Sequence, residues 1–195
     1  MRLDDGTVLR AFALMGGYLR ERGVTADVAV YGGTAVMLQF GWRNATEDVD
    51  AVIHGREAVV KDAAAYAGLT LGLADEWLNN DVGGFTPLVE GEGFLEPYGR
   101  FPPGDGPGLR VLLASPGYLC AMKLAAMERA DVGDKDFRDA CGLAAEAGAT
   151  DVETLMDLYR RHYPDGDLGP VSLARLGDVA LAAAASSAVG IGKAR

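Results

Sequence analysis

Apolar positions recur along this chain with two different periods, and the periods change near its middle. Val8, Phe12, Met15 and Leu19 stand at helical spacing and Gly23 follows as a stop, which predicts a first amphipathic helix. Asp27 to Tyr31 reads as a strand, Gly33 to Phe40 as a short helix, and Asp48 to Ile53 as a second strand. Val59, Val60, Ala63, Ala64 and Ala67 mark another helix that closes near Gly68, and Leu69 to Leu73 reads as a further short strand. From Val82 to Gly108 the pattern dissolves into eight glycines and five prolines, predicting loops with one or two short strands. Leu109 to Ala114 resumes as a strand.

Beyond that point the period is helical. Ser115-Pro116 is a helix start, with serine as N-cap and proline at the first helical position, and Tyr118 to Arg129 continues it. Asp134 is placed to cap the next helix, whose core face reads as Phe137, Ala140, Cys141, Ala144 and Ala145. Asp151 to Tyr163 and Val171 to about Ala185 give two more. The expected fold class is therefore α/β: residues 1–114 form a small mixed sheet flanked by helices, and residues 115–195 form a helical region packed on that core.

Composition narrows the picture. With 195 residues, 49% of them apolar, the chain can bury a sizeable core. A formal charge of −10 argues against a protein that coats nucleic acid through a broad basic surface, although a small basic patch gripping one RNA end is compatible with it. Cys120 and Cys141 lie in helical patterns without metal-ligand spacing and read as reduced core thiols of a cytoplasmic protein. Met1-Arg2-Leu3-Asp4-Asp5 lacks the basic start and apolar core of a signal peptide. No uninterrupted apolar run approaches the roughly 20 residues a bilayer span requires, so no membrane partner is expected.

The chemistry concentrates in two places. Val28-Ala29-Val30-Tyr31 breaks on Gly32-Gly33-Thr34, and fifteen residues after Gly33 come Asp48 and Asp50. Side chains alternate along a strand, so these carboxylates point the same way, roughly 7 Å apart. Like charges on one face call for a cation or solvent. Two carboxylates can hold Mg²⁺, which keeps its other positions for water and phosphate. The glycines let a phosphate approach bare backbone N–H groups at a helix start. The second constellation is Lys123, in an otherwise apolar helix, with Lys135, Asp136 and Asp139. Lys123 is either a solubilising surface lysine or one that snorkels to a phosphate. Asp136 and Asp139 are either surface charges or a further carboxylate for the first site. The segment Trp77 to Phe85 has the composition of a turn, with Asp81 a candidate substrate or metal contact. His54 and His162 suggest no zinc site. Walker-type and Gly-x-Ser-x-Gly motifs do not occur.

These residues resemble the nucleotidyltransferase superfamily, and within it the AbiEii-like toxin group and related uncharacterised proteins. The shared pattern is an apolar strand, Gly-Gly, a short helix and Asp-x-Asp, here Tyr31-Gly32-Gly33-Thr34-Ala35 and Asp48-Val49-Asp50. The linker Phe40 to Thr46, with Arg43 and Thr46, is similar to the group's. So are Lys123, Arg129 and Lys135-Asp136-Phe137-Arg138-Asp139, the segment Trp77 to Phe85, and Tyr159 to Pro164. The resemblance covers about residues 8 to 165. It implies a minimal nucleotidyltransferase core with a C-terminal helical region and transfer of NMP from an NTP, with pyrophosphate released. Asp48 and Asp50 would bind Mg²⁺ and Gly32, Gly33 and Thr34 the triphosphate. Lys123 would contact phosphate, and Asp139 or Asp136 would serve as the remaining acid or base, with Lys135 beside them. Many members carry a third carboxylate on a later strand. Leu109 to Ala114 has none, which passes that role to Asp81 or to the Lys-Asp-x-x-Asp helix. The resemblance further implies a toxin with a cognate antitoxin, acting on the 3′ end of a tRNA or on a protein. The alternatives are a small-molecule enzyme of the aminoglycoside type, whose cationic acceptor would suit an acidic pocket, and a nucleotide-binding or antitoxin-like module without turnover.

Overall fold

The computed structural model describes residues 2–87, 90–129 and 135–190. They form two compact units, one within 1–85 and 95–114, the other within 86–94 and 115–195. The fold class is mixed α/β with a C-terminal helical region.

The first unit runs α1 (Asp5–Glu21), β1 (Thr25–Val30), α2 (Gly32–Phe40), β2 (Val49–His54), α3 (Glu57–Leu71), β3 (Leu78–Asn79), a 3-10 turn (Asp81–Gly84), β4 (Leu95–Phe101) and β5 (Gly108–Ala114). The sheet order is β3-β2-β1-β5-β4. β1 pairs antiparallel with β2 and parallel with β5, while β3 is parallel to β2 and β4 antiparallel to β5. Lying at the centre, β1 is covered on both faces, and Val28, Ala29 and Val30 are fully buried. The helical spacing read from α1 is realised: Val8, Phe12, Met15 and Leu19 are buried together, and the Asp4 carboxylate caps the helix by accepting from Thr7 N–H at 2.7 Å.

One expectation for this unit is corrected. Leu69 to Leu73 is not a strand, because α3 continues to Leu71 and closes on Gly72 in the left-handed conformation. The same helix presents Gly68 to Trp77, whose buried indole donates to Ala64 O at 3.0 Å. The glycine- and proline-rich region holds a seven-residue strand, β4. It occupies an edge of the sheet and shifts register between Pro97 and Gly99, which is where a sheet tolerates a residue with no N–H.

The second unit is built from α4 (Pro116–Ala126), α5 (Lys135–Glu146), α6 (Val152–His162) and α7 (Pro170–Gly190). Ser115 caps α4 by accepting from Tyr118 N–H, with Pro116 at the first helical position, as the Ser-Pro pair predicts, and the helix ends at Ala126, before the expected Arg129. Asp151 and Thr154 form a capping box on α6. Asp134, the expected cap of α5, lies outside the described residues. The core face of α5 is rotated from expectation: Asp136, Ala140, Leu143 and Ala144 are buried, while Phe137, Cys141 and Ala145 are half-buried. Phe137 instead lies beneath the Arg175 guanidinium of α7. The start of α7 is pinned by Glu128, whose Oε1 accepts from Ser172 N–H at 2.6 Å, and by Ser172 Oγ–H donating to Leu124 O at 2.7 Å. Pro170–Ala188 is long and apolar enough by length and composition to cross a membrane, with mean hydropathy 1.2 and 28% of it buried. Arg175 and Asp178 interrupt this stretch, so the sequence shows no continuous apolar run there although the average passes. Core helices satisfy the same criterion, and Leu176, Val179, Ala180 and Ala183 of α7 are buried.

Candidate active site

The end of β1 and the start of α2 build the bend. Tyr31 is extended and provides no side-chain cap to α2, and Gly32 turns the chain with φ +59°. That conformation is disfavoured for any residue with a Cβ. The first turn of α2 thus opens on the backbone N–H groups of Gly32, Gly33 and Thr34 with no capping side chain from Tyr31 among them.

The acidic pair lies against this bend. Asp50 sits in β2 with its main-chain oxygen accepting from Tyr31 N–H at 2.9 Å. Its carboxylate packs on Gly32: a Cβ there would fall 3.3 Å from Asp50 Cγ and would collide with Oδ2. Asp48 stands one residue before β2, not inside it as expected, and its main-chain oxygen accepts from Thr34 Oγ–H at 2.9 Å. That bond fastens the first turn of α2 to the acidic segment. Leu3 and Thr46 exchange two main-chain hydrogen bonds of 2.8 and 2.9 Å and hold the approach to Asp48 in place. Asp48 and Asp50 are both half-buried, flanking the buried Val49.

Three neighbours complete the site. Asn79, paired with Asp50 in the β2–β3 register, donates its side-chain amide to Asp48 Oδ2 at 3.1 Å. Its oxygen accepts from Asp81 N–H at 2.9 Å, which fixes the orientation of the amide. Asp81 is exposed at the head of the 3-10 turn. Of the polar residues in that segment, Asn79 bonds the acidic pair at Asp48. Parallel pairing of β3 with β2 is the signal that distinguishes it, and a two-residue strand is too short to read from sequence. Arg43 Nη1 and Thr46 Oγ1 lie 3.0 and 3.3 Å from where a Gly33 Cβ would be, so a guanidinium covers the second glycine.

Lys123, Asp136 and Asp139 come together within the second unit. Lys123 Nζ donates to Asp136 Oδ1 at 2.6 Å and lies 3.4 Å from Asp139 Oδ2, while Arg129 Nη2 reaches Asp136 Oδ2 at 3.5 Å. Asp136 is 1% exposed. A carboxylate buried that deeply requires its cations, and breaking such a cluster costs more than an exposed pair contributes. Lys135 is exposed at the start of α5.

Among the described residues no three His, Cys, Asp or Glu side chains gather into a metal-holding group. The acidic pair therefore offers two carboxylate side chains, the donor set that suits Mg²⁺ when phosphate and water fill its remaining positions. His162 belongs to an aromatic cluster, stacked on Tyr118 at 5.3 Å and tilted against Phe94, and burial holds its imidazole below the ordinary pKa. Burial pushes the Cys120 thiol up to about 12, and both cysteines are free. No protein-family model, curated protein or solved structure matches this chain.

Proposed function

We propose that this protein is a Mg²⁺-dependent nucleotidyltransferase that moves NMP from an NTP to a hydroxyl of an RNA, such as a tRNA 3′ end, or of a protein, and that it is the toxin of a toxin–antitoxin or phage-defence pair. The observation that carries the enzymatic reading is the Asp50 carboxylate packed on the Gly32 bend, with Asp48 tied to the same bend through Thr34. Asp48 and Asp50 are the residues that would hold Mg²⁺. Bound there, the ion would neutralise phosphate charge and orient the attacking oxygen.

The chain's own groups supply the rest of the binding. The N–H groups at the start of α2, which Tyr31 does not cap, suit the β- and γ-phosphates, and the helix dipole favours their charge. Arg43 adds a fixed cation beside Gly33, and a guanidinium matches phosphate geometry in two-point contacts. Asn79 holds the Asp48 carboxylate in one orientation. Within the second unit, Lys123 is the residue the family resemblance implies as a phosphate contact, and Asp139 the implied acid or base. In the transfer the acceptor oxygen bonds to the α-phosphorus, the bond to pyrophosphate breaks, and the acceptor proton leaves to solvent or to a carboxylate.

Incubation of the protein with labelled NTPs and either total tRNA or a protein extract tests this. Label transfer that needs Mg²⁺ and disappears in Asp48→Asn and Asp50→Asn supports it. Transfer that survives either substitution, or no transfer and no pyrophosphate release with any NTP, contradicts it.

A further inference from the structure

Trp42 is 45% exposed, and its ring stacks on Phe40 with centroids 4.5 Å apart and planes 21° apart. One face is therefore covered, and the exposure falls on the other face and the edges. Gly41 closes α2 in the left-handed conformation and carries Trp42 off the end of the helix. Gly41 and Asn44 are exposed on either side of it, and nothing lies within 4 Å of where a Gly41 Cβ would stand, so the chain around the ring is uncovered. The stack belongs to the same helix as the phosphate bend. At ~1.5 Å per residue, Phe40 lies about 10 Å along α2 from Gly33. Arg43 spans that interval, since it follows Trp42 in the chain while its Nη1 covers Gly33.

A half-exposed indole braced by a second ring is a surface on which the unpaired bases of a single strand stack, and such stacking tolerates any sequence because every base has a π-face. The N–H groups of a helix's first turn point off its N-terminal end, whereas Trp42 follows the C-terminal end of α2. A triphosphate seated on those N–H groups is therefore at the opposite end of α2 from the ring, and a base on Trp42 belongs to a second molecule. We infer that this second molecule is a single-stranded RNA, one of whose bases stacks on Trp42 while its end lies at the acidic pair. This assignment rests on the proposed transfer reaction, because it makes the strand the acceptor in place of a protein. Residues 40–46 carry one cation, Arg43, so stacking supplies more of the contact than charge does, in keeping with a chain of net charge −10.

The test uses the intact chain and a short single-stranded oligoadenylate, with neither NTP nor Mg²⁺. Intrinsic fluorescence reports the contact, because the chain's second tryptophan, Trp77, is 2% exposed. The strand should quench the Trp42 emission saturably, and a parallel titration with NTP and Mg²⁺ should leave that emission unchanged. By anisotropy of a labelled strand, Trp42→Ala should bind at least about tenfold more weakly, equivalent to about 1.4 kcal/mol, with an unchanged circular dichroism spectrum. Trp42→Phe should recover most of the affinity, and an abasic strand should lose as much as Trp42→Ala does. No saturable binding overturns the inference and leaves a protein as the acceptor. Full affinity in Trp42→Ala or for the abasic strand overturns it too, because the ring then only braces its loop. Quenching by NTP and not by the strand also overturns it, because the base on Trp42 is then the donor nucleotide's. Strand binding measured in Asp48→Asn/Asp50→Asn separates the two claims. Lost strand binding with transfer intact discards this inference alone, and lost transfer with strand binding intact discards the proposed reaction alone.

Discussion

Replacing Gly32 by alanine should harm the protein twice, and a second glycine separates the two effects. Gly32 (φ +59°) and Gly41 (φ +65°, closing α2) share the left-handed conformation. An alanine at either position pays a backbone cost of about 1–2 kcal/mol. At Gly41 nothing lies within 4 Å of the new methyl group. At Gly32 the methyl group would fall 3.3 and 3.6 Å from Cγ and Cβ of Asp50 and would overlap Oδ2, so the carboxylate must leave its rotamer. That adds about 0.5–1.5 kcal/mol. Urea denaturation should therefore show Gly41→Ala about 1–2 kcal/mol less stable than the parent and Gly32→Ala about 1.5–3.5 kcal/mol less stable. Calorimetry with Mg²⁺ and a non-hydrolysable NTP should show unchanged affinity for Gly41→Ala and at least about a tenfold loss for Gly32→Ala, since losing a well-placed ligand is worth about 1.4 kcal/mol or more. Equal stability losses in the two variants, with full nucleotide affinity in Gly32→Ala, would refute the placement of Asp50 and its role together.

Three further outcomes follow from the second unit. Lys123→Met should destabilise it by about 3–5 kcal/mol in urea, because Asp136 is left buried with only the half-exposed Arg129 opposite it; a loss below about 1 kcal/mol would mean the pair behaves as a surface bridge. Glu128→Ala should cost about 1 kcal/mol by uncapping α7 at Ser172, and hydrogen exchange should rise over the first turn of α7 and not over α6. Burial holds His162 below its ordinary pKa of 6.5, more than its Nδ1 hydrogen bond to Leu158 O raises it, so the unfolded chain takes up the proton more readily. Stability should be full above that value and fall as pH drops below it, and His162→Phe should flatten this part of the profile. An unchanged profile in the variant would assign the pH dependence elsewhere.

Much of the fold is legible where a local rule and the tertiary environment agree. The apolar stripe of α1 and the caps at Ser115 and Asp151 meet that condition. So does the passage from β1 through Gly32 into α2, because only a glycine there permits the turn that brings Asp50 against it. Legibility fails where tertiary contact overrides local pattern. Leu69 to Leu73 has strand-like composition, but α3 extends through it to the Gly72 cap. A strand is expected somewhere in Val82 to Gly108, but the bounds of β4 carry no local signature, because it includes Pro97 and Gly99 and is tolerated as an edge strand bonded on one side only. In α5 the periodicity places Phe137 in the core, yet Asp136 is buried because Lys123 and Arg129 neutralise it, a pairing across α4 and α5 with no local signature. At the candidate site, the acidic pair and glycines are readable as a motif. Asn79 is not, because its bond to Asp48 depends on the register of a two-residue strand.

The most direct test of the account is an electron paramagnetic resonance titration of Mn²⁺, standing in for Mg²⁺, with a non-hydrolysable NTP. A bound-ion signal that requires both nucleotide and protein is expected, and it should vanish in Asp48→Asn/Asp50→Asn while the double variant keeps the parent's circular dichroism spectrum. An undiminished bound-ion signal in that folded variant, or none in the parent, would contradict the claim that these two carboxylates anchor a metal–triphosphate at the Gly32 bend.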